Sequence, residues 1–309
     1  MATTVRETIK EITRKHLTEG KGKCYGQCLT AVGWVGGTLP ELYEKDGMVE
    51  LSMADVAGGA IVTGAALSGE RSIYVVRYQG FQWYNAASVV NYAAKSKEIW
   101  GRPCPILVRS IAMEGGIGPV AGSSHHSLIQ RMPGIKVLSP MTPKEYQLAY
   151  DLYMADDDPY YISEHRKSYD NTEELNDIIS KDEVDFTIFP ISITRLEMDK
   201  LLKLAEQEGI KLNIAHQLWI RPFYVMDNWI TSLQNSKYGG LVTDDDYVEG
   251  VASSIANELS VATGKIVRTL GLESRTAGFH PSVDNLPPTA EKILEKLKQI
   301  KNEFQLASN

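Results

Sequence analysis

Hydrophobic positions along this chain alternate between helical and strand rhythms from end to end. Val5, Ile9, Ile12 and Leu17 share one side of an N-terminal amphipathic helix. GWVGGTLPELYEKDG reads as a Gly-rich loop leading into a short helix. The run Val56 to Leu67 is made almost wholly of Ala, Gly, Val and Ile and is too short for a membrane span, so it predicts a buried helix ended by Gly69. Ile73 to Val76 is strand-like and stops near Gly80. The next segment has helical spacing, with Ala86, Val89, Val90 and Ala93 on one face. PILVRSIA, KVLSP and PYYISEH are further strands, separated by the loop MEGGIGPVAGSSHHS and by a helix that Thr142 caps.

The pattern then breaks. SYDNTEELNDIISKDEV is polar and acidic and reads as a linker. Alternation resumes with the strand FTIFPIS, a helix ending at Gly209, the strand KLNIAHQL and the segment IRPF. A helix through Met226 to Leu233, the strand GGLVTDDD, a helix from Gly250 to Leu259, the strand KIVRTLGL and a C-terminal amphipathic helix complete it. Strands alternating with helices predict an α/β fold of mostly parallel, doubly wound sheets. The expected division is 1–168, a linker at 169–183, and a smaller α/β unit at 184–309.

Composition narrows the function classes. A chain of 309 residues is long enough for two cores, and 43% hydrophobic with 23% charged residues is the profile of a globular protein. The net charge of -7, without a basic stripe, argues against a nucleic-acid partner. The charged N-terminus has no apolar core and is not a signal peptide, and no membrane partner is expected. Cys24, Cys28 and Cys104 suit a reducing compartment, so the cytoplasm is the expected location. Cys24 and Cys28 lack the second pair a zinc site needs.

Chemistry concentrates in three places. Asp55 heads the small-residue helix, either as a dipole-favoured cap or as a functional acid beside a segment that a flat ligand or another backbone can approach. The loop Gly116 to Gly122 resembles a dinucleotide fingerprint only superficially, because its spacing is wrong by one. It reads as a loop over a site instead. His125 and His126 follow it; being adjacent, they point apart, so one faces a pocket while the other packs. Phe81, Trp83 and Tyr84 are core aromatics or a stacking platform for a flat heterocycle.

In this order, the segments resemble the beta subunit of the thiamine-diphosphate-dependent component of 2-oxoacid dehydrogenase complexes. More distantly they resemble the C-terminal half of transketolase. SMADVAGGAIVTGAAL is similar to the family's acid-headed helix, RYQGFQWYNAASVVNYAAK to its aromatic segment, and GSSHHSLIQRMPGIKVLSP to its histidine loop. DLYMADDDPYYISEH is similar to the strand closing its pyrimidine-binding domain, and LWIRPF and GFHPSVDNLPPTAEKILEKLKQI to landmarks of its C-terminal domain. The likeness covers nearly the whole chain.

The resemblance implies roles. The family acid, a glutamate, bonds the cofactor's aminopyrimidine and favours the imino tautomer that deprotonates the thiazolium carbon. Asp55 holds that position one methylene short. Phe81 takes the place of the ring-stacking aromatic, with Tyr78 beside it as a second cofactor-binding residue. His125 or His126 matches the histidine near the reacting carbon. Asp156 and Asp158 match a structural potassium site that some members use. The Gly-Asp-Gly motif that holds Mg2+ and diphosphate in the family's partner subunit is absent from this sequence. The implied assembly is a homodimer within a heterotetramer, with an alpha-type subunit supplying that half of the site and a small-molecule 2-oxoacid as substrate. The competing expectations are half of a split transketolase, with Arg77, Arg109 or Arg131 as phosphate anchors, and a non-catalytic scaffold or regulatory subunit.

Overall fold

The computed structural model describes residues 2–20, 22–30, 33–113, 122–276, 278 and 280–307. Most of the Gly116–Gly122 loop therefore lies outside the described residues.

The chain opens with helix α1 (Val5–Thr18), started by a capping box in which Thr4 Oγ1 accepts from the Glu7 amide and Glu7 Oε2 accepts from the Thr4 amide. Strands β1 (Lys23–Gly26), β2 (Met48–Glu50), β3 (Ser72–Val76), β4 (Ile106–Ala112), β5 (Lys136–Leu138) and β6 (Tyr160–His165) follow. Between them lie helices α2 (Asp55–Leu67), α3 (Gln82–Asn85), α4 (Ala94–Trp100), α5 (His126–Gln130) and α6 (Pro143–Ala155). Beyond them come β7 (Phe186–Pro190), α7 (Met198–Gln207), β8 (Leu212–Ile214), β9 (Trp219–Arg221) and α8 (Asp227–Gln234), then β10 (Gly240–Tyr247), α9 (Val251–Thr263), β11 (Val267–Leu272) and α10 (Ala290–Ala307).

The first sheet runs β2-β1-β3-β4-β6-β5-β9, and the second β11-β10-β7-β8. Every pairing is parallel except β5 with β9. The expected doubly wound α/β architecture is present. One difference crosses the expected division: β9, from the IRPF segment, adds to the edge of the first sheet through Val137 and Leu138. The acidic segment after β6 is also tied down on both sides. Glu174 accepts from Thr142 Oγ1 and the Lys144 amide, and Ile178 bridges Ile214.

One face of the first sheet packs on α1 and α6 through Ile9, Ile12, Ile162 and Tyr153. The other face shares a core with the second sheet, in which Val62, Val89 and Val137 join Phe189, Trp229 and Ile255. The carboxyl ends of the strands, where α/β sheets place their ligands, lie beside this junction.

Helix α2 corrects the expectation of a buried segment. Val62, Thr63 and Ala66 are buried, but Val56 and Ile61 are 57% and 52% exposed, with Ala57, Ala60 and Gly64 beside them. Its buried side is set by Gly59: a Cβ there would come within 2.0 Å of the Asn85 carbonyl, so only glycine lets α3 sit this close.

Candidate active site

Three segments from the carboxyl ends of the first sheet converge on a cleft of about 40 Å3. Its lining includes Gln27 and Cys28 after β1, Met53 before α2, and Tyr78, Phe81 and Asn85 after β3. The Tyr78 and Phe81 rings lie 5.9 Å apart, and Phe81 remains 36% exposed, so an aromatic face is open to a ligand. Asp55 is half-buried in the first turn of α2, and its Oδ1 accepts from Gln27 Nε2 at 2.7 Å. The residue that precedes the helix is Ala54, which offers no side-chain cap. Asp55 thus reaches the cleft through Gln27, which was not apparent from sequence. Asn85 in the lining is held from behind by Tyr74, whose hydroxyl donates to Asn85 Oδ1, and burial with Asp55 nearby holds that phenol well above its usual range.

The structure separates the two histidines. His125 is half-buried and faces a cavity of about 390 Å3 between the two sheets, with Trp83, Arg131, Tyr247 and Glu249 in its lining. Its main chain is fixed from both sides: the amide donates to Gln79 Oε1 at 2.7 Å, and the carbonyl accepts from Gln82 Nε2. The aromatic segment therefore positions the histidine loop. Burial holds the His125 imidazole below its usual pKa, with Asp246 opposing.

His126 is fully buried. Its Nδ1 lies 2.9 Å from Ser163 Oγ and its Nε2 3.0 Å from Asp244 Oδ2. Burial alone would depress this imidazole, but the carboxylates of Asp244, Asp246 and Asp245 outweigh it and hold the pKa up to about 9. Asp245 is pushed up to about 7 by burial and by Asp244, and its Oδ2 accepts from Ser124 Oγ at 2.7 Å. His126, Asp244 and Asp245 present ligand atoms within 4.8 Å of one another, a spacing open to a metal. The hydrogen-bonded ion pair of His126 and Asp244 already satisfies the imidazole, so we read the cluster as a tie between the sheets. The run of three acids in TDDD gave no hint of this, since charge runs are usually solvated.

The potassium expectation fails on its donors. The Lys136 ammonium sits between Asp156 and Asp158, bonded to Asp156 Oδ2 and 3.3 Å from Asp158 Oδ2. The Tyr153 and Asp156 carbonyls accept from Arg71 Nη1 at 2.9 and 2.7 Å. The protein's own cations fill this place, and the residues do not fit a potassium ion.

The fold is an α/β architecture of the transketolase type. The family profile described as "Transketolase, pyrimidine binding domain" matches residues 18–172, and the chain belongs to that family, which depends on thiamine diphosphate. The chain is 27% identical to the 2-oxoisovalerate dehydrogenase subunit beta of Bacillus subtilis over 74% of this chain and 76% of the relative. It is 23% identical to the pyruvate dehydrogenase E1 component subunit beta of the same organism, over 72% of each chain. A solved split-gene transketolase, described as an inactive beta4 tetramer, superposes with a TM-score of 0.70 at 14% identity, covering 97% of this chain and 98% of its own. That likeness concerns the fold.

The residues fit the pyrimidine end of thiamine diphosphate: an open aromatic face, a carboxylate one hydrogen bond from the rim, and a glycine-lined helix. They do not enclose it. A cleft of about 40 Å3 is far below the roughly 300–1,000 Å3 of sites that surround a small molecule.

Proposed function

We propose that this chain is the beta-type subunit of a heteromeric thiamine-diphosphate-dependent enzyme that decarboxylates a 2-oxoacid. The observation that carries this reading is the Asp55–Gln27 pair at the rim of the Tyr78–Phe81 cleft. Bound thiamine diphosphate would supply a nucleophilic carbon and an electron sink for decarboxylation. The chain's part is to grip the ring between Phe81 and the head of α2 and to hold a proton at Asp55. His125 is the histidine able to reach a ligand, whereas His126 positions the loop from behind. The alpha-type partner supplies Mg2+ and the diphosphate half, and the open cleft supports that need. The working assembly is a homodimer of this chain within a heterotetramer; relatives named as a subunit beta support a second kind of subunit.

The test has two parts. The isolated chain should bind thiamine diphosphate weakly or not at all, and tightly only with its partner; calorimetry showing micromolar, magnesium-dependent binding by the isolated chain would overturn the shared site. In the assembled enzyme, Asp55→Asn should slow hydrogen–deuterium exchange at the thiazolium carbon by about two to four orders of magnitude. Equal rates in both proteins would make this chain a scaffold.

A second reading, transfer of a two-carbon ketol unit between sugar phosphates, gains support from Arg77 in the cleft wall. Product analysis with a 2-oxoacid and with a ketose phosphate separates the two.

A further inference from the structure

Strand β10 ends in three consecutive acids, and each of them holds a different residue of the histidine loop. Asp244 Oδ2 lies 3.0 Å from His126 Nε2, Asp245 Oδ2 accepts from Ser124 Oγ at 2.7 Å, and Asp246 Oδ2 accepts from the Ser127 amide at 2.9 Å. All three carboxylates are buried, yet of the three Asp246 alone also lines the cavity of about 390 Å3 that His125 faces. Burying a carboxylate is costly unless donors surround it. Two main-chain amides serve Asp246: that of Ser127, and that of Tyr247, which donates to Oδ1 at 2.7 Å.

The hold continues into α9. The Val251 amide is one of the donors that a helix start leaves without an internal partner, and it donates to Ser127 Oγ at 2.9 Å. Gly250 makes room for this contact, since a Cβ there would stand 2.0 Å from Ser127 Oγ. Ser127, two residues from His125, is thus bonded to the second sheet's side through both its main chain and its side chain. On the other side, Gln79 and Gln82 hold the His125 amide and carbonyl. The imidazole itself is tied less closely: Nε2 lies 3.1 Å from Ser123 Oγ, and the ring centroid 6.2 Å from that of Tyr247. Where the ring points is therefore set by the main chain of the loop. Asp246 also favours the charged imidazole through space, against the burial that disfavours it.

We infer that Asp246 is a positioning residue for His125: with Ser127 and Gly250 it fixes the histidine loop from the second sheet, so the C-terminal part of the chain sets where His125 stands in the reaction. The inference rests on the proposed function for the role of His125. A residue that acts through His125 differs from a mere tie between the sheets in one respect. Its effect on turnover disappears once His125 is gone.

Two measurements test it. In the isolated full-length chain, Asp246→Ala should speed backbone hydrogen exchange in a peptide spanning His125 and Ser127 by about tenfold or more, the loss of one charged hydrogen bond. Asp246→Asn keeps an acceptor oxygen and should speed it less. In the assembled enzyme turning over a 2-oxoacid, Asp246→Ala should lower kcat by about tenfold to 100-fold, the cost of a misplaced catalytic group, with little change in KM. In a His125→Gln background the same substitution should lower kcat by less than about twofold, because nothing is left to place. Equal losses in the two backgrounds would make Asp246 a general support of the fold and overturn the inference. Unchanged loop exchange in Asp246→Ala, or wild-type kcat in His125→Gln, would overturn it as well. If Asp246→Ala melts early, Asp246→Asn carries the same comparison in both backgrounds. An assembled wild type without 2-oxoacid or ketol activity would sink the functional reading, and the exchange measurement would still decide whether Asp246 holds the loop.

Discussion

His126 Nε2 lies 3.0 Å from Asp244 Oδ2, with both side chains sealed from solvent, and this contact ties the first sheet's histidine loop to the second sheet. Its protonation makes stability depend on pH. His126 is raised from 6.5 to about 9, so its contribution is full below pH 6.5 and is lost as pH rises through 9. Asp245 is raised from 3.8 to about 7, so the fold also prefers its protonated form, and rising pH costs stability between those values. His165 acts the other way on the acid side. Burial holds it down at about 3, and stability falls as pH drops below 6.5.

Asp245→Asn isolates one of these effects. The amide mimics the protonated carboxyl and cannot charge in the buried site. At pH 8 the variant should be more stable than the wild type by about 1–3 kcal/mol, and at pH 4, close to the ordinary aspartate value of 3.8, the gap should nearly close. Denaturant midpoints at the two pH values decide the matter. A lower midpoint at pH 8 would mean that the Asp245 carboxylate is itself a stabilising partner.

Gln27→Leu tests the acid's support. The substitution removes the donor to Asp55 Oδ1 while keeping most of the volume. Asp55 then loses its orientation, and misplacing a catalytic group by ~1 Å costs up to about 100-fold in rate. We expect hydrogen–deuterium exchange at the cofactor's thiazolium carbon to slow by about tenfold to 100-fold in the assembled enzyme, with little change in melting temperature. An unchanged exchange rate would mean that Asp55 is held by other contacts.

What was legible in the sequence was local. Asp55, Phe81 and the SSHHS loop stand in short runs whose order is itself a signal, and the alternation of strands and helices gave the sheet type. Contacts closed by topology were not legible: Gln27 and Asp55 are 28 positions apart, and His126 and Asp244 are 118 apart. Strand β1, KCYG, was missed because it has no β-branched residue to mark it. The TDDD acids end a strand-like run with nothing in the sequence to mark them as buried, and all three are buried. Helix α2 looked buried because its composition is apolar on every side. Nothing in the sequence says that this chain covers only one of those sides.

Lys136→Met tests the replacement of potassium by an internal cation. Asp156 and Asp158 would then face each other across a half-buried gap with Lys97 at 3.6 Å as the remaining nearby ammonium. We expect a loss of about 1–3 kcal/mol, partly recovered in potassium but not in sodium at equal ionic strength. The wild type should melt at the same temperature in both salts. Potassium-dependent melting of the wild type would show that the ion binds despite Lys136.

The exposed side of α2 gives the last prediction. Val56, Ala57, Ala60, Ile61 and Gly64 form one stripe along the helix, and Met53, Tyr84 and Tyr92 are large exposed hydrophobics in the neighbouring segments. Apolar surface of this kind marks an interaction face, and residues this small let a partner's backbone approach closely. Since the stripe runs from Asp55, whatever covers it also closes the ring cleft, which fits the alpha-type partner under the proposed function. Ile61→Glu places a charge in the middle of the stripe. The isolated chain should tolerate it within about 0.5 kcal/mol, as surface positions do. Assembly should weaken by more than about 100-fold, because the lost burial of an isoleucine, about 1.5–3 kcal/mol, adds to the cost of burying an unpaired carboxylate. Light scattering on the variant mixed with its partner reads this directly. Full-sized assembly with Ile61→Glu would show that the stripe stays in water and that the cleft is closed from another side.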